Sequence, residues 1–140
     1  MTKGALVIGG SVAGVQAALD LANSGIDVHL VEKGRSLEVE RGVDVSGLPD
    51  EAVRFLLTPK LLSAASHPHV HLYTGTEVTA IHGERGDFQI KMHQKPRYVD
   101  TQRCMACNRC SEVCTVDIPG AAGSGWAAHK AIHPPAPHLR

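Results

Sequence analysis

Residues 5–33 constrain the fold of this chain more than any other stretch. Ala5-Leu-Val-Ile-Gly-Gly10 is a short apolar run of the kind that forms a buried parallel strand. In residues 11–25, Val12, Val15, Leu19 and Ala22 fall at helical spacing, and Gly25 stands where a helix C-cap belongs. Asp27-Val-His-Leu-Val-Glu-Lys33 is a second apolar strand, and it ends in an acid. A strand, a Gly-rich turn, a helix and a strand, with Glu32 about twenty residues past the turn, make the dinucleotide-binding fingerprint.

The residue types follow from the chemistry. Glycines let the backbone approach a pyrophosphate, the helix N-terminus favours its negative charge, and the acid accepts from ribose hydroxyls. The candidate cofactor-binding residues are therefore Gly9, Gly10, Ser11, Val12, Ala13 and Gly14 in the turn and first helical turn, with Glu32 and Lys33 at the end of the second strand. In the G-x-G-x-x-G frame that starts at Gly9, the middle glycine is Ser11. A serine is small enough for close approach if its φ is negative. The alternative is a Rossmann-like half that keeps its packing and binds nothing, because a fold alone does not establish a site.

All four cysteines lie in one run, Cys104-Met-Ala-Cys107-Asn-Arg-Cys110-Ser-Glu-Val-Cys114. This is the C-x2-C-x2-C-x3-C spacing of a ferredoxin-type [4Fe-4S] segment, and it makes Cys104, Cys107, Cys110 and Cys114 the candidate metal ligands. Two-residue gaps let the chain wrap a cluster and aim thiolates at one small volume. Disulfides suit secreted chains, which this one does not resemble. Zinc sites more often pair two C-x2-C units across a longer loop. In two-cluster ferredoxins the fourth cysteine of such a run serves the other cluster. Here Thr115 replaces the usual proline, and no second cysteine run follows. Either all four thiolates hold one cluster, or the run is half of a two-cluster module.

The rest of the chain is less regular. Asp50–Leu57 reads as a short helix that opens with acids, and Thr58–Ala65 as a second helix with Pro59 in its first turn. Val70–Thr74 reads as a strand, and Thr76–His82 with Gly86–Gln94 as a hairpin turned at Gly83-Glu-Arg-Gly86. His67, His69 and His71 alternate, so an extended backbone would put them on one face, as a metal site or as a polar edge. Pro68 disturbs that geometry. Residues 1–98 are expected to form an α/β Rossmann-like dinucleotide-binding half-domain with a β-hairpin, 99–120 a ferredoxin-type segment, and 121–140 a Gly-, Ala- and Pro-rich flexible tail.

Charge narrows the partners. Fourteen Lys and Arg balance fourteen Asp and Glu, which leaves no electrostatic footprint for nucleic acid or anionic membrane. No stretch is long and apolar enough to span a membrane. The early apolar run, broken at Gly9-Gly10, does not read as a signal peptide. Four clustered cysteines fit the reducing cytoplasm, the expected location.

The order of parts resembles the A-type subunit of heterodisulfide reductase. The matching stretches are Val7-Ile-Gly-Gly-Ser-Val-Ala-Gly-Val-Gln-Ala-Ala-Leu-Asp-Leu-Ala22, Leu30-Val-Glu-Lys33, Pro59-Lys60, His67-Pro68, Arg97-Tyr-Val-Asp100 before the cysteines, and Lys130-Ala-Ile132. The resemblance implies FAD at the Gly9–Lys33 unit and [4Fe-4S] chemistry at the cysteines. It also implies an oxidoreductase component, not active alone, that moves electrons among the other subunits of a heterodisulfide reductase-like complex and a hydrogenase or dehydrogenase. Family members are several times longer and carry a second cysteine run, then the rest of the flavin domain. Leu37-Glu-Val39 stands where the family has a glycine pair, and Ala52 and Phe55 where it has Cys-x-x-Cys. Two functional classes follow: an electron-transfer piece, or a small accessory or docking protein, or gene fragment, that kept the fold. An independent NAD(P)-dependent reductase is a weaker third reading, since no substrate domain supports it.

Overall fold

The computed structural model of this chain describes residues 4–37, 50–100, 103–105, 107–119 and 129–132. It comprises two units, Met1–Pro96 and Arg97–Arg140.

The first unit opens as its spacing dictates, with strand β1 (Gly4–Ile8), helix α1 (Val12–Asn23) and strand β2 (Asp27–Val31). β1 and β2 pair in parallel, Gly4 opposite Asp27 through to Ile8 opposite Val31. Ser11 is the N-cap of α1, and its backbone is extended rather than helical. The helix ends where the Gly25 N–H donates to the Ala22 carbonyl at 2.9 Å, and Gly25 takes the left-handed φ of +79° that favours glycine. Val15, Ala18, Leu19 and Ala22 form the buried stripe of α1. They pack with Val28 and Leu30 of β2, both fully buried. Burial of such a side chain contributes on the order of 1.5–3 kcal/mol.

The sequence suggests two helices over residues 50–65. The structure has one, α2 (Asp50–Ser66), with Pro59 inside it. Proline removes one helix hydrogen bond and crowds the preceding turn. Tertiary packing overrides that cost here. Val53, Leu57, Leu61 and Ala64 form one stripe on both sides of Pro59, and all four face the core. A break at Pro59 would turn half of that stripe away.

β3 (Val70–Tyr73) pairs in parallel with the other edge of β2, so the sheet order is β1-β2-β3. Its second face carries a ring stack that spans two strands. His29 of β2 stacks on His71 of β3 with centroids 5.0 Å apart, and its Nδ1 lies 3.3 Å from the Tyr73 hydroxyl. The alternating histidines do not share one strand. Only His71 is in β3, while His67 and His69 occupy the turn before it, where His69 Nδ1 meets the Asp27 carboxylate at 2.9 Å.

The expected hairpin is present as β4 (Thr76–Glu84) and β5 (Asp87–Gln94). It turns through the two residues Arg85 and Gly86, and Gly86 has a left-handed φ of +95° that favours glycine. A register shift lies between Val78 and Ala80.

In the second unit, helix α3 (Arg109–Val113) follows Asn108, whose φ is +64°. The two-residue strands β6 (Asp117–Ile118) and β7 (His129–Lys130) pair antiparallel, and Lys130 Nζ lies 2.8 Å from Asp117 Oδ1. The composition of residues 121–140 does not announce that pairing. Among the described residues no helix is long and apolar enough to cross a membrane. Glu38 and Val39, which stand with Leu37 where the family has a glycine pair, lie outside the described residues.

Candidate functional site

The glycine turn sits at the carboxyl end of β1, the position where open α/β sheets place their ligands. Gly9 has a φ of +102°, and its N–H donates to the Val31 carbonyl at 2.8 Å. Gly14 is required by a close approach. A β-carbon there would stand 2.0 Å from the Gly9 carbonyl oxygen, so only glycine lets the first turn of α1 sit against the loop. Ser11, the departure from the glycine pattern, has a φ of −63°, which any residue adopts. Its hydroxyl caps the helix with a long contact of 3.5 Å from the Gly14 N–H. The N–H groups of Val12 and Ala13, in the first turn of α1, have no intrahelical acceptor and remain for an anion.

Glu32 lies one residue past β2, and its carboxylate bridges two turns. One oxygen accepts from the N–H of Gly10 and the other from the N–H of Gly34. Its backbone is fixed as well: the Glu32 N–H donates to Tyr73 at 2.8 Å, and its carbonyl accepts from Thr76 at 2.9 Å. The carboxylate therefore stands at the glycine turn with lone pairs left for a diol. Lys33 points elsewhere. Its Nζ is 3.2 Å from Glu77 Oε1, and Lys95 approaches the same oxygen at 3.6 Å. The hydrogen bond and charge of Lys33, with a smaller contribution from Lys95, hold the Glu77 carboxyl below the usual carboxylate range.

An open cleft of about 510 Å³ lies between these parts, lined by Ile8, Gly9, Val31, Glu32, Lys33 and residues 76–81 at the base of β4. Its apolar floor, its carboxylate and the adjacent helix start match the three chemistries of a nucleotide: base, ribose and phosphate. The residues present thus fit the adenosine and pyrophosphate of a dinucleotide such as FAD. Sequence reasoning missed Gly34, Thr76, Glu77 and Lys95. A glycine two residues past the acid is the only one of these with a local cue.

The four cysteines are placed differently. Cys104, Cys107 and Cys110 are exposed, and Cys114 is half-buried. Among the described residues, no three His, Cys, Asp or Glu side chains are gathered closely enough to hold a metal ion. The donor set has the chemistry of a cluster site, and its thiols are not closed around a common centre. One feature suits a ligand. The backbone of Ile132, then of Val116 and Ala131, hydrogen-bonds the Cys114 sulfur and holds its pKa below that of an ordinary thiol, with the charge of Lys130 adding to the effect.

A family profile described as pyridine nucleotide-disulphide oxidoreductase matches residues 4–130. The sequence is 41% identical over 138 residues to an A-type iron-sulfur subunit of the CoB-CoM heterodisulfide reductase of Methanopyrus kandleri, covering 98% of this chain and 21% of that protein. It is 40% identical over 134 residues to the A-type iron-sulfur subunit of the CoB-CoM heterodisulfide reductase of Methanocaldococcus jannaschii, covering 95% and 20%. The resemblance to that subunit therefore holds over nearly all of this chain, which spans about a fifth of the length of the curated relatives it matches. Among solved structures, L-proline dehydrogenase from P. horikoshii shares the fold with a TM-score of 0.50 at 23% identity, over 66% of this chain and 19% of that one. With a Rossmann-like βαβ unit, a glycine turn closed by an acid and a profile match over most of its length, the chain belongs to the pyridine nucleotide-disulphide oxidoreductase family.

Proposed function

We propose that this chain is an electron-transfer piece of a heterodisulfide reductase-like complex. Its first unit holds the adenosine and pyrophosphate end of FAD, and its second unit carries one [4Fe-4S] cluster on Cys104, Cys107, Cys110 and Cys114. The observation that carries the reading is the turn in which Gly9, Gly10 and Gly14 meet the Glu32 carboxylate at the mouth of an apolar cleft. The names of the relatives, iron-sulfur subunits of heterodisulfide reductases, support the cysteine assignment.

Each residue has a task. Val12 and Ala13 offer N–H groups at the positive end of α1 to the pyrophosphate. Glu32 accepts from the ribose hydroxyls while keeping its hold on Gly10 and Gly34. Ile8, Val31 and Val78 exclude water from the adenine. Lys33 stays with Glu77, which leaves Glu32 as the charge that meets the ribose and disfavours a phosphorylated one. The thiols of the second unit close on iron when the metal binds, as metal ligands generally do. A flavin in the first unit would supply two-electron chemistry, and a cluster in the second one-electron chemistry. Complex partners, among them a hydrogenase or dehydrogenase and the disulfide-reducing subunits, would supply and accept the electrons, in the cytoplasm.

The test uses the full chain, purified and reconstituted without oxygen. Flavin fluorescence should show FAD binding, and Glu32→Ala should weaken it by about 1.5–3 kcal/mol, one charge-assisted hydrogen bond. Iron analysis should give about four irons per chain. FAD binding untouched by Glu32→Ala would refute the flavin assignment. No bound iron, with all four thiols open to alkylation, would leave the accessory-protein reading.

A further inference from the structure

Four charged side chains meet where the hairpin joins the sheet. Glu32 and Lys33 follow β2, Glu77 is the second residue of β4, and Lys95 follows β5. Glu32, Lys33 and Glu77 line the cleft together. One carboxylate oxygen of Glu77 serves both lysines, Lys33 Nζ at 3.2 Å and Lys95 Nζ at 3.6 Å. The backbone fixes this meeting. The Gly75 N–H donates to the Gly34 carbonyl at 2.6 Å and the Thr76 N–H to the Glu32 carbonyl at 2.9 Å, so the start of β4 is tied to the residues on either side of Lys33. The Lys95 N–H donates to the Gly75 carbonyl at 2.8 Å and is tied to the same segment. The side chains of Lys33, Glu77 and Lys95 are 74%, 41% and 51% exposed. Ion pairs this open contribute little to stability, so stability does not account for their place beside the ribose acid.

We propose that Glu77 is a specificity-determining residue of the cleft: by holding Lys33 and Lys95 it masks a latent site for a 2′-phosphate, and the cleft selects adenosine with an unphosphorylated ribose. Resting on the reading of the cleft as an adenosine site, this role adds what decides between its ligands. A 2′-phosphate is accommodated by a cation near the end of the second strand. Lys33 is such a cation, one residue past the ribose acid. Its flexible four-carbon stem lets the ammonium turn toward the ribose once Glu77 no longer holds it. Glu32 alone is a weak barrier. Its oxygens already accept from the N–H groups of Gly10 and Gly34, which offset part of its charge. Glu77 therefore sets the balance. With two carboxylates and two ammonium groups, Glu32, Glu77, Lys33 and Lys95 together are neutral. Loss of the Glu77 charge leaves one net positive charge and releases Lys33. Loss of the Lys33 charge leaves one net negative charge. Loss of both restores neutrality.

Isothermal titration calorimetry on the full chain tests the mask, with ADP-ribose and 2′-phospho-ADP-ribose as probes. The two differ only at the 2′ oxygen. The wild-type chain should bind ADP-ribose more tightly. Glu77→Gln should move the ratio of the two dissociation constants about fivefold toward the phosphorylated probe, the effect of one unit charge at an exposed site. Lys33→Met should move the ratio in the opposite direction. Combining Glu77→Gln with Lys33→Met should return it to within about twofold of wild type. The Glu77→Gln shift should shrink as salt rises from about 50 mM to about 300 mM. A merely structural ion pair would give both single variants the same sign, and circular dichroism checks that the fold is kept. A ratio that Glu77→Gln does not move, or that the double variant does not restore, overturns the proposal. The adenosine reading survives that outcome if Glu32→Ala still weakens ADP-ribose. A wild-type chain that binds neither probe overturns both.

Discussion

Replacing Gly14 with alanine separates local preference from tertiary fit, because the two predict opposite signs. Residue 14 lies within α1, where alanine is favoured over glycine by about 1 kcal/mol. On propensity alone Gly14→Ala stabilises the protein. The structure says otherwise. The new β-carbon would stand 2.0 Å from the Gly9 carbonyl oxygen, 3.1 Å from the Gly9 carbonyl carbon and 3.6 Å from a Val7 methyl. The first obstacle is backbone, not the end of a flexible side chain. To reach ordinary contact, α1 must back away from the loop by about 1 Å or more, and overpacking of that kind costs about 1–3 kcal/mol. Val15, Ala18, Leu19 and Ala22 would lose contact with β2 as the helix moves. The expected net effect is therefore a destabilisation of up to about 2 kcal/mol after the propensity gain is subtracted. Urea unfolding at fixed protein concentration measures it, read as a fall in midpoint at constant slope. Ala17→Gly, at an exposed position of the same helix, calibrates the propensity effect. A Gly14→Ala protein more stable than wild type, as propensity alone requires, would refute the close approach and with it the shape assigned to the phosphate turn.

Pro59→Ala should stabilise α2 by about 1–3 kcal/mol, because it restores the helix N–H donor at residue 59 that proline lacks; a lowered melting temperature would contradict the continuous helix. The hydrogen bond from His69, aided by the charges of His69, His71 and His29, lowers the Asp27 pKa. A depressed carboxyl contributes stability above its unfolded pKa of about 3.9 and loses it as pH falls through the folded value, so protonation of Asp27 removes this contribution in acid. In His69→Ala, carboxyl NMR should show Asp27 titrating closer to its ordinary value, and an unchanged titration would dismiss the pair. Cys107→Ser should cost more bound iron after anaerobic reconstitution than Cys114→Ser, since residues 104, 107 and 110 are the tightly spaced ligands; equal loss would make Cys114 an equal member of the set.

Contiguity decided what the sequence determined by itself. β1, the glycine turn, α1 and β2 are consecutive, so periodicity and turn chemistry within about thirty residues specify them. The β4–β5 hairpin is equally local, set by alternation and by glycine at the turn. The cysteine spacing names a donor set for the same reason. Tertiary structure decided whatever joins distant residues. Pro59 reads as a helix start, and only burial of Val53, Leu57, Leu61 and Ala64 along one stripe keeps the helix whole through it. Glu32 reads as a ribose acid, but its bond to Gly10 spans 22 residues and depends on β1 and β2 lying side by side. Lys33 looked equivalent to its neighbour until Glu77, 44 positions on, drew it away. The pairing of His29 with His71 likewise follows from β3 choosing the free edge of β2. These contacts carry no local imprint. Each is a balance of burial and hydrogen bonding between segments that meet only once the chain has closed on itself.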